Sequence, residues 1–590
     1  MFNTIKQLLS LLTRRERWQL GLLFVAIVVM AGLQVVSIAA IWPFLSVAAD
    51  PGAINDYGAL AWAYEAFGFE SAYGFTVALG IAAFVVLVLS NGFIIATTWA
   101  KKRWINMRNY TLSTRLLAHY LRQPYTYFLS RNSSDLGTLV LAEVKEVVGG
   151  LMLPGLQALA QGIVALTLMA FLVAVDPLLA VIAVVVLGGA YGTLYVGVRR
   201  WLARIGQDRV RANKERYQAT GEAFGGIKEV KTLGREDRFV QRYKSPAYDF
   251  ARHRTSMSVV RSVPKYAFEA IAFGGLLLIA LYLYTAGAGM RSAIPMLGVY
   301  AFGAYRLMPA LQQMFKGVTS FKFNAPALEA IHEAFREDDD PARRTALTTN
   351  GVAPAALGER LELDGVTFHY PGDDEPTLRD ISCVIEARTT VGIVGPTGAG
   401  KTTLVDIILG LLRPQEGQIR VDGVPLTDAN IRAWQRAIGY VPQDIYLSDT
   451  SVARNIAFGE LEEDIDRAAV ERAARIANIH DFITGTLPHG YDTVVGERGV
   501  RLSGGQRQRI GIARALYHDP DVLVFDEATS AVDTDTERGI MDAVYRLAGK
   551  KTIIMIAHRT KTLERCDKIL RIEMGRLVGE QSYQEMPETA

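Results

Sequence analysis

The stretch "VGIVGPTGAGKTTLVDIILGLL" (residues 391–412) decides the fold of the C-terminal half. It begins as a short apolar run, breaks at Gly395, Gly398 and Gly400, and resumes at Lys401 with apolar residues at helical spacing. Strand, tight loop and helix in that order, with G-x4-G-K-[ST] at Gly395, Gly400, Lys401 and Thr402, predict a Walker A phosphate loop. The glycines let backbone N–H groups turn inward around phosphates, and the helix N-terminus adds a favourable dipole. The residues assigned to the nucleotide are Gly395, Pro396, Thr397, Gly398, Ala399, Gly400, Lys401, Thr402 and Thr403. Lys401 neutralises the β- and γ-phosphates, and the Thr402 hydroxyl is offered to Mg²⁺.

A second stretch, "DVLVFDEATSAVD" (521–533), supplies a partner. Four apolar residues predict a buried strand ending at Asp526 and Glu527. Asp526 is expected to hold Mg²⁺, directly or through water. Glu527, one residue on, is placed to polarise an attacking water. A third, "RLSGGQRQRIGIARAL" (501–516), places Ser503, Gly504, Gly505 and Gln506 at the opening of a helix, where N-terminal donors suit a γ-phosphate. Short β-type runs such as "TIIMIAH" alternate with helical patterns through this half, predicting an α/β domain with a largely parallel sheet. Its two cysteines, Cys383 and Cys566, are the only ones in the chain, which argues against a disulfide framework and for a reducing cytosol.

Before residue 320 the character changes. The chain has 590 residues, half of them hydrophobic, and a mean hydropathy of +0.17. Six apolar runs, near 18–44, 75–99, 150–174, 177–197, 266–286 and 293–315, approach the roughly 20 residues that cross a membrane as a helix. The N-terminal segment carries Lys6, Arg14, Arg15 and Arg17, and the loop after the second run carries Lys101, Lys102, Arg103, Arg108, Arg115, Arg122 and Arg131. The loop 199–265 is also basic, whereas 46–74 holds only Asp50, Asp56, Glu65 and Glu70. This asymmetry puts both termini and the two basic loops in the cytoplasm. The basic loops are helix-patterned and are expected to extend the spans, turning near Pro124 and near Gly225-Gly226. The aromatic loop 54–70, with Trp62, Tyr64, Phe67 and Phe69, is either an interfacial helix or a packed outer turn. The expected organisation is therefore a transmembrane region 1–325, a linker 326–357, a nucleotide domain 358–581 and a tail 582–590. A net charge of +3 gives no reason to expect a nucleic-acid partner.

On the LSGGQ stretch and the two Walker stretches, the chain resembles the ABC transporter ATPases over essentially its whole length. The resemblance implies further roles. Tyr370 in "FHYPG" stacks on adenine, Gln443 in "YVPQD" links Mg²⁺ and water to the membrane region, and "VVGERG" (494–499) touches the intracellular tips. Asp533 lies at a dimer interface, and His558 in "IAHRT" senses the γ-phosphate. One nucleotide domain and six spans imply an exporter-type half-transporter whose ATP sites are completed by a second copy of the chain. ATP and Mg²⁺ are the implied cofactors, and a bacterial inner membrane the implied location.

Polar residues in the apolar half bear on the cargo. Arg261 and Lys265 lie at the inner start of the fifth run, and Arg306 lies inside the sixth. A guanidinium in lipid needs a cavity or a partner, so Arg306 faces either a passing phosphate or Glu269. The stretches "LSLLTRRERWQL", "VPKYAFEAIAF" and "YRLMPA" are similar to those of the PglK-like lipid-linked oligosaccharide flippases. That resemblance implies movement of a polyprenyl-pyrophosphate-linked glycan from the cytoplasmic to the outer leaflet, in contact with membrane lipids. The competing expectation is an exporter of other lipids, peptides or drugs.

Overall fold

Long apolar runs continued by basic, helix-favouring sequence produce six long helices: α1 (Arg14–Ala39), α2 (Ala72–Leu121), α3 (Leu153–Val175), α4 (Pro177–Gly225), α5 (Glu236–Thr285) and α6 (Met290–Arg336). The structure, a computed structural model, describes residues 2–175, 177–285, 290–336, 356–527, 534–557 and 560–585. Among the described residues, Arg14–Gln34, Ala72–Leu121 and Ser133–Ala170 are long and apolar enough to cross a membrane. The other three expected spans fall on α4 to α6, whose apolar stretches include side chains outside the described residues. At 50 residues, α2 is about 75 Å long at 1.5 Å per residue. It extends far past a hydrocarbon core, as the basic second loop leads one to expect.

The turns follow local chemistry. α2 ends before Pro124, α4 opens on Pro177 where a missing N–H is harmless, and α4 stops at Gly225. Two boundaries differ from expectation. The first apolar run breaks at Ala40 and resumes as a short helix, Ile41–Ala49. The last helix runs on to Arg336, because Ala327, Leu328, Ile331 and Ala334 keep a helical apolar period and are buried. Of the rest of the expected linker, 337–355 lies outside the described residues. In the outer loop, helix Gly58–Ala66 turns Leu60 inward, and Tyr64 and Phe69 pack on Phe75 with ring centroids 5.2 Å apart in each pair. Trp62 and Phe67 on the same segment are exposed. The loop is thus a short helix packed through Leu60, Tyr64 and Phe69 with two aromatics facing outward, so it carries features of both expected forms.

The helical region is tied by close packing and by buried ion pairs. A Cβ on Gly206 of α4 would meet the Phe323 carbonyl oxygen of α6 at 2.3 Å, so only glycine permits this crossing. The helical run that leads into α3 contains two π-helical turns, Leu139–Glu143 and Val147–Met152. Glu143 at the first of these is buried against α4. It receives Arg209 Nη2 at 3.1 Å and Asn213 Nδ2 at 2.8 Å. Glu16 and Arg108 make a second buried pair between α1 and α2.

The C-terminal region carries two sheets. The larger has strand order β10-β9-β3-β8-β7-β6, with β3 (Thr390–Val394), β6 (Ile438–Val441), β7 (Val522–Asp526), β8 (Thr552–Ile556) and β9 (Lys568–Glu573) parallel. Only β10 (Arg576–Gln581) runs antiparallel, at the edge. β7 and β8 are buried at every position, as parallel strands covered on both faces require. A second, antiparallel sheet, β2-β1-β4-β5, uses β1 (Arg360–Phe368), β2 (Leu378–Glu386), β4 (Glu416–Val421) and β5 (Val424–Pro425). Short β-type runs alone do not distinguish it from the parallel one. The chain divides into two compact units, one of residues 1–121 and 131–339, the other of 122–130 and 340–590. The nine residues 122–130 belong with the second unit although they sit in the middle of the first.

Candidate nucleotide site

Parallel strands deliver their chemistry at their C-terminal ends. β3 ends at Val394 and passes directly into Gly395. A Cβ on Gly395 would stand 2.0 Å from the Ile572 carbonyl oxygen, and one on Gly400, at φ 98°, would meet the Leu378 side chain at 2.7 Å. Both glycines are required for the loop to bend this closely against its neighbours. Pro396, Thr397 and Gly398 are exposed on the loop, while Ala399 is buried beneath it. Gly400 caps the helix α7 (Lys401–Ile408), so the free N–H groups of its first turn face the loop. Lys401 Nζ folds back and donates to the carbonyl oxygens of Gly395 at 3.0 Å and Pro396 at 3.1 Å. A cation is thus held over the loop, where phosphate charge would lie. Thr402 is exposed at the loop mouth, and Thr403 is buried.

Two strands away, β7 presents Asp526 and then Glu527. Asp526 is buried, and its Oδ1 has no hydrogen-bond partner. Burial raises its carboxyl above the usual range, and the Glu527 charge raises it further. Tyr440, on adjacent β6, and Lys401 work in the opposite direction. A buried carboxylate with an unsatisfied oxygen beside a phosphate loop suits a divalent cation. Because β6 pairs in register with β7, Gln443, two residues past the end of β6, reaches Glu527. Gln443 Nε2 donates to Glu527 Oε2 at 2.8 Å. Four expected residues spread over more than 120 sequence positions, Lys401, Gln443, Asp526 and Glu527, therefore converge. Tyr440 joins them, and nothing separates it in sequence from any other strand aromatic.

Tyr370, just beyond β1, is half-buried, and its hydroxyl lies 3.1 Å from Thr403 Oγ1. Ser503, Gly504, Gly505 and Gln506 open α8 (Gly504–Leu516). Ser503 Oγ accepts from Gln506 N at 3.3 Å and Gln506 Oε1 accepts from Ser503 N at 2.8 Å, a reciprocal cap. Val494–Gly499 form an exposed-edged turn in which Arg498 takes φ 52°. Asp533 and His558 lie outside the described residues. Within the same unit the short helix Tyr125–Leu129 borders a cavity of about 400 Å³ lined by residues such as Arg122, Tyr125, Phe368 and Arg413.

In the helical unit, Arg261 and Lys265 stand one turn apart on α5. Arg261 Nε is buried without a hydrogen-bond partner. Burial lowers its pKa while Glu146, which also receives Arg254 at 3.1 Å, acts to raise it. Lys265 is exposed with its Nζ over the Tyr266 ring. The side chain of Arg306 lies outside the described residues, so neither a phosphate-facing position nor a pair with Glu269 is assigned to it.

A P-loop, a strand-end acid pair and a capped LSGGQ helix on a chain with membrane-length helices define an ATPase joined to a transmembrane region. Two family models match accordingly, the ABC transporter transmembrane region over residues 18–287 and the ABC transporter over 378–530. The ATP-dependent lipid A-core flippase of Chromobacterium violaceum is 33% identical over 487 residues, covering 81% of this chain and 80% of that protein. That of Chromohalobacter salexigens is 32% identical over 481 residues, covering 81% of each. The solved structure of a bacterial Atm1-family ABC exporter with ATP bound superposes with a TM-score of 0.73 at 25% identity, covering 94% of this chain and 95% of that one. The chain belongs to the ABC transporter family. It is an exporter-type half-transporter, with one transmembrane region fused to one ATP-binding region.

Proposed function

We propose that two copies of this chain form an ATP-driven flippase. It would move a phosphate-bearing, glycosylated lipid from the cytoplasmic to the outer leaflet of a bacterial inner membrane, with the nucleotide domains in the cytoplasm. The observation that carries the ATPase roles is the Lys401–Asp526–Glu527–Gln443 cluster at the ends of β3, β6 and β7. In this reading the loop N–H groups and Lys401 bind the phosphates, Tyr370 stacks on adenine, and Thr402 and Asp526, with Gln443, hold Mg²⁺. Bound there, the ion would withdraw charge from phosphate oxygens. Glu527 accepts the proton of the attacking water, and its hydrogen bond to Gln443 fixes the carboxylate for that task. Ser503–Gln506 and Asp533 of the second copy would close each site over the nucleotide, with His558 at the γ-phosphate.

For the cargo, the supporting observation is the Arg261–Lys265 pair. Arg261 keeps a buried donor unsatisfied, and a phosphate satisfies a guanidinium bidentately. A polyprenyl-pyrophosphate-linked oligosaccharide has the required chemistry. The relatives named lipid A-core flippases favour a second candidate of the same kind, a phosphorylated saccharide lipid. The test is flipping in proteoliposomes containing a polyprenyl-pyrophosphate glycan, lipid A-core, a neutral lipid or a cationic drug. Stimulated ATPase and translocation with either anionic glycolipid, reduced in Arg261→Ala and Lys265→Ala, are expected. Transport of the drug alone would overturn the proposal.

A further inference from the structure

In the proposed reading Tyr370 stacks on adenine, yet it lies two residues beyond the end of β1, where the sheet no longer holds the backbone. The last main-chain bond between β1 and the segment leading into β4 runs from Gln415 N to the Thr367 carbonyl oxygen at 3.0 Å. Beyond it, the Gln415 side chain takes over. Its Oε1 accepts from His369 N at 3.0 Å, and its Nε2 donates to the His369 carbonyl oxygen at 2.9 Å. A planar amide that accepts from an N–H and donates to the C=O of one residue imitates a strand partner. The ladder is thereby extended by one residue, up to the peptide that precedes Tyr370. At the other end of the ring, the hydroxyl meets Thr403 Oγ1 on α7 at 3.1 Å, and the Phe368 ring packs edge-on at 5.1 Å.

We infer that Gln415 is a positioning residue for nucleotide selectivity: its side-chain amide clamps the His369 backbone and so sets the Tyr370 ring in the plane that receives the base. This rests on the proposed stacking role of Tyr370. The hydrogen bonds of the Gln415 amide go to the His369 backbone, so in this reading it acts through that ring. The side chain is exposed, so its loss opens no cavity in the core. A glutamate at this position keeps the acceptor for His369 N but sets a second acceptor against the His369 carbonyl, so it breaks half of the clamp.

The test uses the full chain in lipid nanodiscs, with ATPase and CTPase measured across nucleotide concentration. Gln415→Ala is expected to raise KM for ATP about three- to ten-fold, roughly the worth of one neutral hydrogen bond, because the clamp reaches the base only through the ring. kcat and KM for CTP, whose smaller base gains less from stacking, should change little. Gln415→Glu should fall in the same direction. Because the effect passes through Tyr370, the pair Gln415→Ala and Tyr370→Ala should give the KM of Tyr370→Ala alone. Additive losses, or equal losses for ATP and CTP, would overturn the clamp while leaving Tyr370 in its role. An unchanged KM for ATP in Tyr370→Ala would instead remove the stacking role, and the inference with it.

Discussion

Glu527 takes φ 49°, a left-handed backbone that costs a branchless acid about 1–3 kcal/mol. The strain is retained where the carboxylate meets Gln443, and the proposed general-base role would account for it. Glu527→Gln preserves shape and an acceptor for Gln443, so ATP affinity should persist while turnover falls by about 10²–10⁴-fold. Nucleotide binding measured beside single-turnover hydrolysis checks this, and near-wild-type turnover would sink the assignment. Asp422 poses a different residue-scale question. Burial acts to raise its carboxyl, but N–H groups of Arg360, Gly358 and Glu359 donate to it and hold it below the ordinary range. A depressed folded-state pKa gives stability that is present above the unfolded value, near 4, and lost as pH falls through the folded value. Asp422→Asn, which tolerates the same positive φ, should lower the melting temperature at pH 7 by about 2–4 °C. That gap should close as pH drops toward 3. A gap constant with pH would refute the carboxylate clasp. The P-loop, the strand ending at Asp526 and the capped LSGGQ helix were readable because motif spacing encodes their local fold. Asp422 and Gln415 were not, because each acts on backbone some 46 to 64 residues away.

At the scale of elements, apolar length and charge located the helices, and Pro124, Pro177 and Gly225 located their turns. The break at Ala40 and the helix through 326–336 were not legible, since both depend on which face tertiary packing buries. The same holds for Glu143 and Arg209, which look like solvated charges in sequence but are buried together. Arg209→Met should strand the Glu143 carboxylate and cost about 3–5 kcal/mol, whereas pairing it with Glu143→Leu should recover much of the loss. Thermal unfolding in detergent separates these outcomes, and a single variant as stable as the double would contradict a buried pair. On the same α4, Gly206→Ala drives a methyl into the Phe323 carbonyl, while at Gly197 nothing lies within 4 Å. The first should destabilise by about 1–3 kcal/mol. The second should be neutral or slightly stabilising by helix propensity. Equal melting temperatures would count against the close crossing.

For the whole molecule, the proposed sharing of each ATP between two chains has a genetic signature. Lys401→Ala disables one half of a site and Ser503→Arg the other, so each homodimer should be inactive. Co-expressed and purified through two tags, the mixed dimer keeps one intact site and should regain measurable ATPase. Continued inactivity of the mixture would argue against shared sites. The placement of residues 122–130 adds a constraint of another kind. A soluble fragment cut at the linker would be born incomplete, because nine of its native residues are encoded more than 200 positions upstream. Such a fragment would expose the wall that normally lies against the 122–130 peptide. Its catalytic constants would therefore describe a truncated enzyme, and a loop-bearing chimera, with 122–130 spliced back by a flexible tether, is the better object for dissection.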